Sequence, residues 1–552
     1  MQSWIHVIEW RATVHPDVTA LVDDRGASYT YAELKAAVES KAGGWASLGV
    51  RSGDVVALIA KNSADFLVQA FAIMRAGATP AFINWRLSAA EVADVLALMQ
   101  PAAVAADAEF TALLDAARHT PTSDIPVSDI RISDIPVSDI RIRDIRISDS
   151  PISENRKSEG GLGSRVVIGG GEVSDGWLDG AGLAGPAPPR PALSGNDVLA
   201  LVHTSGTTGR AKAIPLRHGA LLVSVAGFAI EIGDQVVGSR HLQILPLFHL
   251  GGFGQCMQAL LTAGTVYVHS GFSPAAVIDA IERDRIEFFT AGPSLMDMLV
   301  AEIRRRPAPP DLASLKEIAY GTAPITPSSL TAAIEAFGCR LRQIYGNTES
   351  QSMISLLAPE DHKPGHPRLA SAGRVSFGWQ VKVVDPADPA ATALPADTSG
   401  ELLIKGECLF SGYWRDPAAT AAAFTADGWY RTGDIGRLTE DGYLYVLDRA
   451  KDMVISGGEN IYPAEVEAVL ARHPAVAEVA VIGRPDPTWG EAVHAVIRLT
   501  DGADGTGEEI IGWCRDRLAH FKCPKTVEFT GPLPRTTTGK VLKRELRHPR
   551  GA

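Results

Sequence analysis

The sequence predicts an α/β protein: a large N-terminal domain of mixed α/β subdomains followed by a smaller α+β C-terminal domain. Its 552 residues exceed what one ordinary domain holds. Helix and strand patterns alternate over the first hundred residues, which is typical of a largely parallel sheet. A second compact run of strands and helices begins near residue 450, so we predict domains over 1–450 and 451–552.

The composition is that of a soluble globular chain. It is 46% hydrophobic and 21% charged, so we expect a large core and exclude global disorder. The net charge is −12, and the longest basic run, 304–306, is interpreted as a solvated helix end, so nucleic acid is not an expected partner. Neither a signal peptide nor a run of ~18 apolar residues is present, and five scattered cysteines fit a reducing compartment, so we expect a cytoplasmic protein.

The first hundred residues contain several element signals. Residues 30–33 spell a capping box, with a hydroxyl at the cap and a carboxylate three residues later. Ser63 opens the second helix and Gly77 ends it. The predicted elements are a helix after Thr30, a buried strand over 55–59, a helix from Ser63 to Gly77 and a helix from Ala89 to Leu98.

A low-complexity insertion over 121–160 interrupts this pattern. A five-residue period, beginning Ser-Asp-Ile-Pro-Val, occupies residues 123–152. Such pentads can build a four-sided β-helix, but six units give only about one and a half coils of a fold that is stabilised by stacking. The recurrent proline also removes strand donors. We therefore interpret the insertion as an expanded surface loop that takes no part in catalysis.

The C-terminal hundred residues read as a compact, βαβ-like unit. Pro463 stands at a helix start, and strands are predicted over 476–482 and 492–499. A second helical face is formed by Ile510, Ile511, Cys514 and Leu518.

The strongest chemical signal is the segment 204–212, Thr-Ser-Gly-Thr-Thr-Gly-Arg-Ala-Lys, which follows an apolar strand over 198–202. Its glycines let the backbone approach a ligand, its hydroxyl and N–H groups can hold phosphate oxygens, and Lys212 adds a cation. The order is not the Walker pattern, so a standard P-loop NTPase is excluded. Taken alone, the segment has a second interpretation, a polar hairpin.

Four further motifs follow in order: Tyr-Gly-Asn-Thr-Glu at 345–349, Trp-Tyr-Arg-Thr-Gly-Asp at 429–434, Asp-Arg-Ala-Lys-Asp at 448–452 and Pro-Arg-Thr-Thr-Thr-Gly-Lys at 534–540. With these five motifs the chain resembles the adenylate-forming superfamily of acyl- and aryl-CoA synthetases, luciferases and adenylation domains of nonribosomal peptide synthetases. The resemblance covers the chain from about residue 8 to 547, apart from the insertion. It implies the adenylate-forming fold, with a mobile C-terminal domain that carries the catalytic lysine.

The resemblance implies a two-step reaction that uses ATP, Mg²⁺ and coenzyme A. A carboxylate is joined to the α-phosphorus of ATP with release of pyrophosphate, and a thiol, usually of coenzyme A, then displaces AMP. Both steps bring anions together, so positioned cations and hydrogen-bond donors must carry the catalysis.

Roles follow, by resemblance, for the residues that match the motifs. Those of the nucleotide site are Thr204, Ser205, Gly206, Thr207, Thr208, Gly209 and Lys212 on the β- and γ-phosphates; Gly321, Thr322, Ala323 and Pro324 along adenine; Tyr345, followed by Gly346, stacked on the base; Thr348 on the α-phosphate; Glu349 on Mg²⁺; and Asp434 and Arg449 on the ribose. Taken singly, Tyr345 could be a core residue, Glu349 a solvated charge and Asp434 a turn residue. Only the joint order of the motifs favours the functional interpretations.

The remaining roles concern the C-terminal domain. Lys540 matches the catalytic lysine, which bridges the substrate carboxylate and the α-phosphate; its other interpretation is one lysine of a basic tail. Lys451 matches the hinge about which the domain turns, bringing in the loop of Ser456, Gly457 and Gly458. Two adjacent glycines suit the passage of a narrow pantetheine arm, which supports coenzyme A as acceptor, although they also suit a β-turn.

The identity of the carboxylic acid is the feature of the reaction that the sequence determines least. His249 resembles the family's aromatic gate between acid pocket and thiol tunnel; its alternative is a hydrogen-bonded core histidine. Amino-acid-activating relatives carry an aspartate near residues 250–253, and this chain has none, so an amino acid is not expected. Small residues such as Gly251 and Gly252 leave room, and Phe289 and Met296 are candidates for the pocket wall.

We expect an acid–CoA ligase for a small-molecule carboxylic acid and favour a fatty acid. The alternatives are an aryl (benzoate- or cinnamate-type) CoA ligase and an adenylating ligase that loads a carrier-protein thiol. A scaffold with a decayed site is disfavoured, because Lys540, Glu349, Asp434 and the whole phosphate segment are present. A homodimer is left open.

Overall fold

The computed structural model describes residues 3–118, 120, 164–168, 177–205, 211–323, 325–388, 390–449, 452–456, 459–487, 489–535 and 541–547. The pentad segment lies outside these described residues. So do the following expected site residues: Gly206, Thr207, Thr208, Gly209, Pro324, Lys451, Gly457, Gly458 and Lys540.

The first part of the chain builds a seven-stranded sheet. Its elements, in chain order, are α1 (Trp4–Val14), β1 (Thr19–Asp23), β2 (Ser28–Thr30), α2 (Tyr31–Ser47), β3 (Val55–Ile59), α3 (Ala64–Arg75), β4 (Thr79–Phe82), α4 (Ala89–Met99), β5 (Ala103–Asp107), a 3₁₀ turn (Ala108–Phe110), α5 (Thr111–Arg118), β6 (Arg165–Ile168), β7 (Leu178–Asp179), β8 (Val198–Ser205) and β9 (Ala211–Arg217). The strand order is β7-β6-β5-β3-β4-β8-β9. All neighbours are parallel except β8 and β9.

The middle of the chain adds a nine-stranded sheet. Its elements are α6 (His218–Ile232), β10 (Arg240–Gln243), α7 (Leu250–Leu261), β11 (Thr265–Val268), α8 (Pro274–Asp284), β12 (Phe288–Ala291), α9 (Pro293–Arg305), β13 (Glu317–Gly321), α10 (Pro327–Phe337), β14 (Arg340–Asn347), β15 (Ser352–Leu357), 3₁₀ turns at Pro359–Asp361 and Pro367–Ala370, and β16 (Arg374–Val375). The order is β16-β15-β14-β13-β12-β10-β11-β1-β2, so the first strands of the chain complete this sheet. Its inner strands, β14 to β1, are parallel.

A four-stranded antiparallel sheet follows. Its elements are β17 (Trp379–Val384), β18 (Gly400–Gly406), α11 (Pro417–Ala423), β19 (Tyr430–Leu438) and β20 (Leu444–Arg449), with the strands in sequence order. It brings the third and fourth motifs onto neighbouring strands.

The C-terminal sheet contains β21 (Val454–Ser456), β22 (Glu459–Ile461), α12 (Pro463–Leu470), β23 (Val476–Asp486), β24 (Gly490–Leu499), α13 (Gly507–Arg515), a 3₁₀ turn (His520–Lys522), β25 (Thr526–Phe529) and α14 (Lys543–Arg547). Here the βαβ-like prediction is wrong for the first two strands, because β23 and β24 form an antiparallel hairpin. A parallel βαβ arrangement does occur further along, over β24, α13 and the unpredicted strand β25, which runs parallel to β24. Leu518 lies beyond the end of α13, although it packs against the same core.

Local sequence explains the predicted elements. The Thr30 hydroxyl accepts from the Glu33 N–H while the Glu33 carboxylate accepts from the Thr30 N–H, which confirms the capping box of α2. All five residues of β3 are buried, as a strand covered by helices on both faces requires. Ser63 caps α3, and Gly77 follows the helix with φ +84°, a backbone conformation that favours glycine.

The core contains large fully buried side chains, among them Trp4, Tyr31 and Trp45. None of the helices in the described ranges is long and apolar enough to cross a membrane. The parallel strands β8, β13 and β14 end on the segments that carry the nucleotide motifs. In open α/β sheets this carboxyl edge is where ligands bind.

Candidate active site

Three side chains expected at the nucleoside form one hydrogen-bonded group. The Tyr345 hydroxyl on β14 donates to Oδ2 of Asp434, at 2.7 Å. Nε of Arg449 lies 2.8 Å from Oδ1 of the same carboxylate. Asp434 and Arg449 are direct partners in the β19–β20 register, so the antiparallel pairing itself sets the ion pair. The structure therefore brings the second, third and fourth motifs together.

Burial requires the charged side chains of this group to be paired. Only 4% of the Asp434 side chain is exposed, and a charge at such a site needs partners. Burial raises the pKa of the Tyr345 hydroxyl, and the adjacent Asp434 carboxylate raises it further, so the hydroxyl remains a donor. Burial by itself lowers the pKa of Arg449, but attraction to Asp434 and Tyr345 outweighs it and the net shift is upward.

A second group lies around Glu349. The Tyr413 hydroxyl donates to Oε1 of Glu349 at 3.2 Å, and Nζ of Lys212 lies 4.2 Å from the centroid of the Tyr413 ring, a cation–π contact. The Tyr430 hydroxyl lies 3.4 Å from that of Tyr413. Tyr413 thus joins the expected magnesium ligand to the lysine of the phosphate segment. Burial and then the Glu349 charge raise the pKa of its hydroxyl, which keeps it protonated.

Backbone hydrogen bonds hold this second group in place. The Phe410 N–H donates to the Glu349 carbonyl at 2.8 Å, and the Trp414 N–H donates to the Ala213 carbonyl at 2.8 Å. Sequence reasoning missed Tyr413 and Phe410, which stand between two recognised motifs. The available signal was a cluster of aromatic residues around Gly412, whose φ of +140° marks a turn.

The expected adenine turn is shaped by close packing. A Cβ on Gly321 would lie 2.4 Å from the Ile344 carbonyl oxygen, so only glycine fits between β13 and β14. Thr322 follows with φ +70°, which a β-branched residue rarely adopts. Such local strain is concentrated at functional sites.

The donor set fits magnesium better than a softer metal. Across the described parts of the chain, no group of three His, Cys, Asp or Glu side chains is placed to hold a metal ion. Mg²⁺ is bound through one or two carboxylates, with waters and substrate phosphates completing its coordination. Glu349 supplies a carboxylate of this kind beside the phosphate segment.

The phosphate segment itself is described only at its ends. Thr204 and Ser205 close β8, Lys212 lies on β9, and Thr204 is paired with Lys212 across the two strands. The two ends of the segment are therefore held together by the β8–β9 hairpin. Gly346 is the second-last residue of β14, and Thr348 follows directly after the strand ends. Ser456 lies on β21 opposite Gly490 in the C-terminal sheet.

His249 is a partly buried, neutral residue. It occupies the N-cap position of α7 without a side-chain capping bond, and desolvation, followed by the Arg86 charge, lowers its pKa to about 4. Its neighbour His203 accepts from the Asn84 N–H through Nε2 at 3.0 Å. Burial and the proximity of His249 lower the pKa of His203 to about 4 as well.

Two expectations about the acid pocket need correction. The Met296 side chain belongs to a core cluster packed with α8, α9 and α10, away from the cavity between α6, α7 and the sheet. Phe289 borders that cavity, although its ring packs against Phe337 in the same core cluster. The ring that faces α6 is that of Phe288, one residue earlier, because alternate residues of a strand face opposite ways. Gly252 does not leave room either, since a Cβ there would lie 2.3 Å from the Pro246 carbonyl oxygen.

Comparisons with known proteins agree with this geometry. The family described as "AMP-binding enzyme" matches residues 8–414, and "AMP-binding enzyme C-terminal domain" matches residues 465–540. A feruloyl-CoA synthase from an Amycolatopsis species is 36% identical over 538 residues, 97% of both chains. An indoleacetate–CoA ligase from Aromatoleum aromaticum is 34% identical over 99% of this chain and 97% of its own. A long-chain-fatty-acid–CoA ligase from Mycobacterium tuberculosis is 32% identical over 98% of this chain and 97% of its own.

Solved structures show the same fold over the whole chain. ATP-bound MatB from Rhodopseudomonas palustris superposes with a TM-score of 0.82 at 26% identity, covering 99% of this chain and 98% of its own. The o-succinylbenzoate CoA synthetase MenE from Bacillus subtilis, in complex with the acyl-adenylate intermediate OSB-AMP, gives 0.80 at 28% identity, covering 100% and 99%. These matches confirm the fold class and the resemblance that the motifs indicate. The chain belongs to the AMP-binding enzyme family, the adenylate-forming superfamily of acyl-CoA ligases.

Proposed function

We propose that this protein is an ATP-dependent acid–coenzyme A ligase that forms AMP and acts on an aromatic carboxylic acid. One observation carries the proposal: the Tyr345–Asp434–Arg449 group and the Glu349–Tyr413–Lys212 group meet on the loops beyond the parallel strands, in a chain similar from end to end to CoA ligases. The first group suits a nucleoside and the second a magnesium-bound triphosphate. Solved relatives bind ATP, and one binds ATP with a magnesium ion.

In the first step, a carboxylate oxygen of the acid attacks the α-phosphorus of ATP. A C–O–P linkage forms, the bond to the β-phosphate oxygen breaks, and pyrophosphate leaves with the electron pair. Lys540, by its motif position, would neutralise the two approaching anions, and the Thr348 hydroxyl would donate to the α-phosphate. Asp434 would accept from the ribose hydroxyls, in a position fixed by Tyr345 and Arg449.

In the second step, the sulfur of coenzyme A attacks the acyl carbon and AMP departs with its phosphate oxygen. The thiol proton is released to solvent, and the thioester takes the place of the mixed anhydride. A neutral His249 fits a gate at the acid pocket, because an uncharged imidazole neither attracts a second anion nor repels an apolar acyl group. The hinge Lys451 and the loop of Ser456, Gly457 and Gly458 would place the pantetheine arm.

An aromatic acid is favoured over the fatty acid that the sequence first suggests. The feruloyl- and indoleacetate-activating relatives are 36% and 34% identical to this chain, against 32% for the fatty-acid ligase. The space between α6, α7 and the sheet is narrow and is flanked by the aromatic residues Phe228 and Phe288. A flat ring packs well between such side chains, since aromatic pairs prefer offset or edge-on contact. The fatty acid stays the second candidate.

The deciding experiment measures pyrophosphate release over cinnamates, arylacetates, benzoates and fatty acids of graded length, with and without coenzyme A. We expect pyrophosphate with aromatic acids and stoichiometric AMP and acyl-CoA when coenzyme A is added. Turnover on a phosphopantetheinylated carrier protein but not on coenzyme A would contradict coenzyme A as the acceptor. A response confined to fatty acids would contradict an aromatic acid as the substrate.

Lys540→Ala tests the catalytic assignment in the same assay. An ammonium about 4 Å from an anion contributes about 4 kcal/mol at an effective dielectric of ~20, so we expect adenylation to slow by about 100- to 1,000-fold. The matched control is Arg544→Ala, an exposed cation four residues later, which should leave the rate unchanged. An unchanged rate in Lys540→Ala would refute the role of this lysine.

A further inference from the structure

A cavity next to the candidate active site contains polar groups that the proposed reaction does not use. It lies between α6, α7 and strands β10, β12 and β13, and its empty volume is about 240 Å³. Phe228, Ile232 and Phe288 form its apolar lining, and Gln235 and Gln255 contribute amides. The part of the cavity that a water-sized molecule can enter holds about one water molecule. The cavity therefore suits one small group at the end of a flat, tightly enclosed ligand.

The cavity is placed where the far end of an acid would reach. His249 occupies the N-cap position of α7, and Gln255 follows six residues later, about 9 Å along the helix axis. On β13, Ala319 lines the cavity and lies two residues before Gly321 of the adenine turn, on the same face of the strand and about 7 Å away. An acid whose carboxylate lies at the strand ends would thus extend along this face toward Gln255.

Three amide atoms of these two glutamines have no hydrogen-bond partner within the part of the chain that the structure describes. Gln255 is 8% exposed; its Nε2 donates to the Leu242 carbonyl at 3.2 Å, and its buried Oε1 is one of the three. The other two are Nε2 and Oε1 of Gln235, both buried. Buried polar groups in native proteins are nearly always satisfied, so unpartnered amides in a cavity indicate a missing hydrogen-bonding group. Because Nε2 of Gln255 is already engaged, the free Oε1 requires a donor.

The charged groups near the cavity are already neutralised. Glu317 lies 2.6 Å from Arg342 and 3.2 Å from Arg340. The His241 ring bonds to the Ser239 hydroxyl and stacks on Phe288, with its centroid 5.0 Å from that ring. A second carboxylate or an ammonium on the substrate would therefore meet no opposite charge here. The donor that fits is uncharged, and a hydroxyl is the smallest such group.

We propose that the preferred acids carry a hydroxyl group on the ring, at the end remote from the carboxylate, and that Gln255 and Gln235 bind this hydroxyl. The hydroxyl donates to Oε1 of Gln255, and its oxygen accepts from the Gln235 amide. The proposal rests on the proposed function, because it assigns the substrate class of that same pocket. Gln255 and Gln235 are specificity-determining residues and take no part in the chemical steps.

The test compares 4-hydroxycinnamate, 4-methoxycinnamate, cinnamate and 4-carboxycinnamate as substrates of the full-length enzyme with ATP and coenzyme A. A site built to bond a hydroxyl discriminates strongly against an analogue that lacks it, so we expect kcat/KM for cinnamate to be about 10- to 100-fold lower than for the 4-hydroxy acid. The methoxy acid, which cannot donate, should fall between them, and the carboxy acid should be the poorest. Equal kcat/KM for cinnamate and its 4-hydroxy derivative would overturn the proposal.

Substitutions of the two glutamines provide the second part of the test. Gln255→Leu should lower kcat/KM about 10-fold or more for the 4-hydroxy acid while leaving that for cinnamate unchanged or raised. Gln235→Leu should act in the same direction, and the exposed Gln380→Leu on β17 is the matched control that should change neither value. A uniform loss over all acids in both cavity variants would overturn the proposal. Should no acid release pyrophosphate from the parent enzyme, the proposed function itself fails, an outcome distinct from activity without hydroxyl preference.

Discussion

Tyr413 offers the sharpest test of how the triphosphate end of the site is organised, because the contacts of its hydroxyl and of its ring can be removed separately. Tyr413→Phe removes the hydroxyl, which donates to Glu349 and lies 3.4 Å from the Tyr430 hydroxyl, whereas Tyr413→Leu also removes the ring that Lys212 packs on. The hydrogen bond measures 3.2 Å, longer than usual for a hydroxyl on a carboxylate, so about 1 kcal/mol is expected from it. The cation–π contact adds about 1–2 kcal/mol at a partly desolvated site.

These magnitudes predict graded effects on adenylation. Tyr413→Phe should lower kcat/KM for ATP about fivefold and raise the Mg²⁺ concentration needed for half-maximal rate, since Glu349 loses the donor that orients it. Tyr413→Leu should lower kcat/KM for ATP about 30- to 150-fold, because the lysine is also released. Pyrophosphate release at graded Mg²⁺ and ATP measures both.

Tyr443 is the matched control. Its hydroxyl donates to Asp361 at 2.9 Å, and Arg368 lies 3.9 Å from its ring centroid, so it makes the same two kinds of contact outside the candidate site. Tyr443→Phe and Tyr443→Leu should lower the unfolding midpoint without changing kcat/KM. Equal losses in the two Tyr413 variants, or a Mg²⁺ dependence that does not move, would refute the reasoning.

Two further predictions concern packing and buried imidazoles. Gly321→Ala forces a Cβ against the Ile344 carbonyl, and we expect a loss of about 1–3 kcal/mol in unfolding free energy and weaker ATP binding, whereas Gly271→Ala, with open space around it, should be neutral in urea unfolding and ATP titration. Burial lowers the pKa of four histidines to about 3 or 4, below the value of about 6.5 in an unfolded chain, so protonation favours unfolding. Stability should be full above about pH 6.5 and fall toward pH 4, by at most about 1.4 kcal/mol per pH unit for each histidine, and a urea midpoint that stays constant between pH 7 and pH 5 would contradict this. These histidines are His203, His218, His241 and His249.

The features predicted correctly from local sequence are those that depend on only a few adjacent residues. The capping box before α2, the buried strand β3 and the proline at the start of α12 each follow from a few adjacent residues, and the structure has all three. The resemblance led us to expect Tyr345, Asp434 and Arg449 at one nucleoside site, and in the structure the three side chains form one hydrogen-bonded group.

Contacts between residues distant in sequence escaped prediction. Arg306, interpreted as part of a solvated helix end, forms ion pairs with Asp279, Glu282 and Glu302, and only 17% of its side chain is exposed. Nothing near residue 306 in the sequence reports that α8 packs beside α9. Phe288, whose ring faces α6, was missed for a related reason: without a known register, neighbouring residues of a strand cannot be assigned to a face.

The two ends of the candidate site follow different physical rules, which explains why the motifs identify the reaction but not the acid. Adenylation brings like charges together, so its groups must be charged and fixed, and buried charges such as Asp434 persist only with partners in set positions. The acid pocket has no such requirement, because apolar packing discriminates weakly and tolerates many side chains. The informative residues there are the exceptions to apolar packing. An amide such as that of Gln255, buried with an unused acceptor, carries an energetic penalty that a suitable substrate removes, and it therefore says more about the acid than the apolar residues around it.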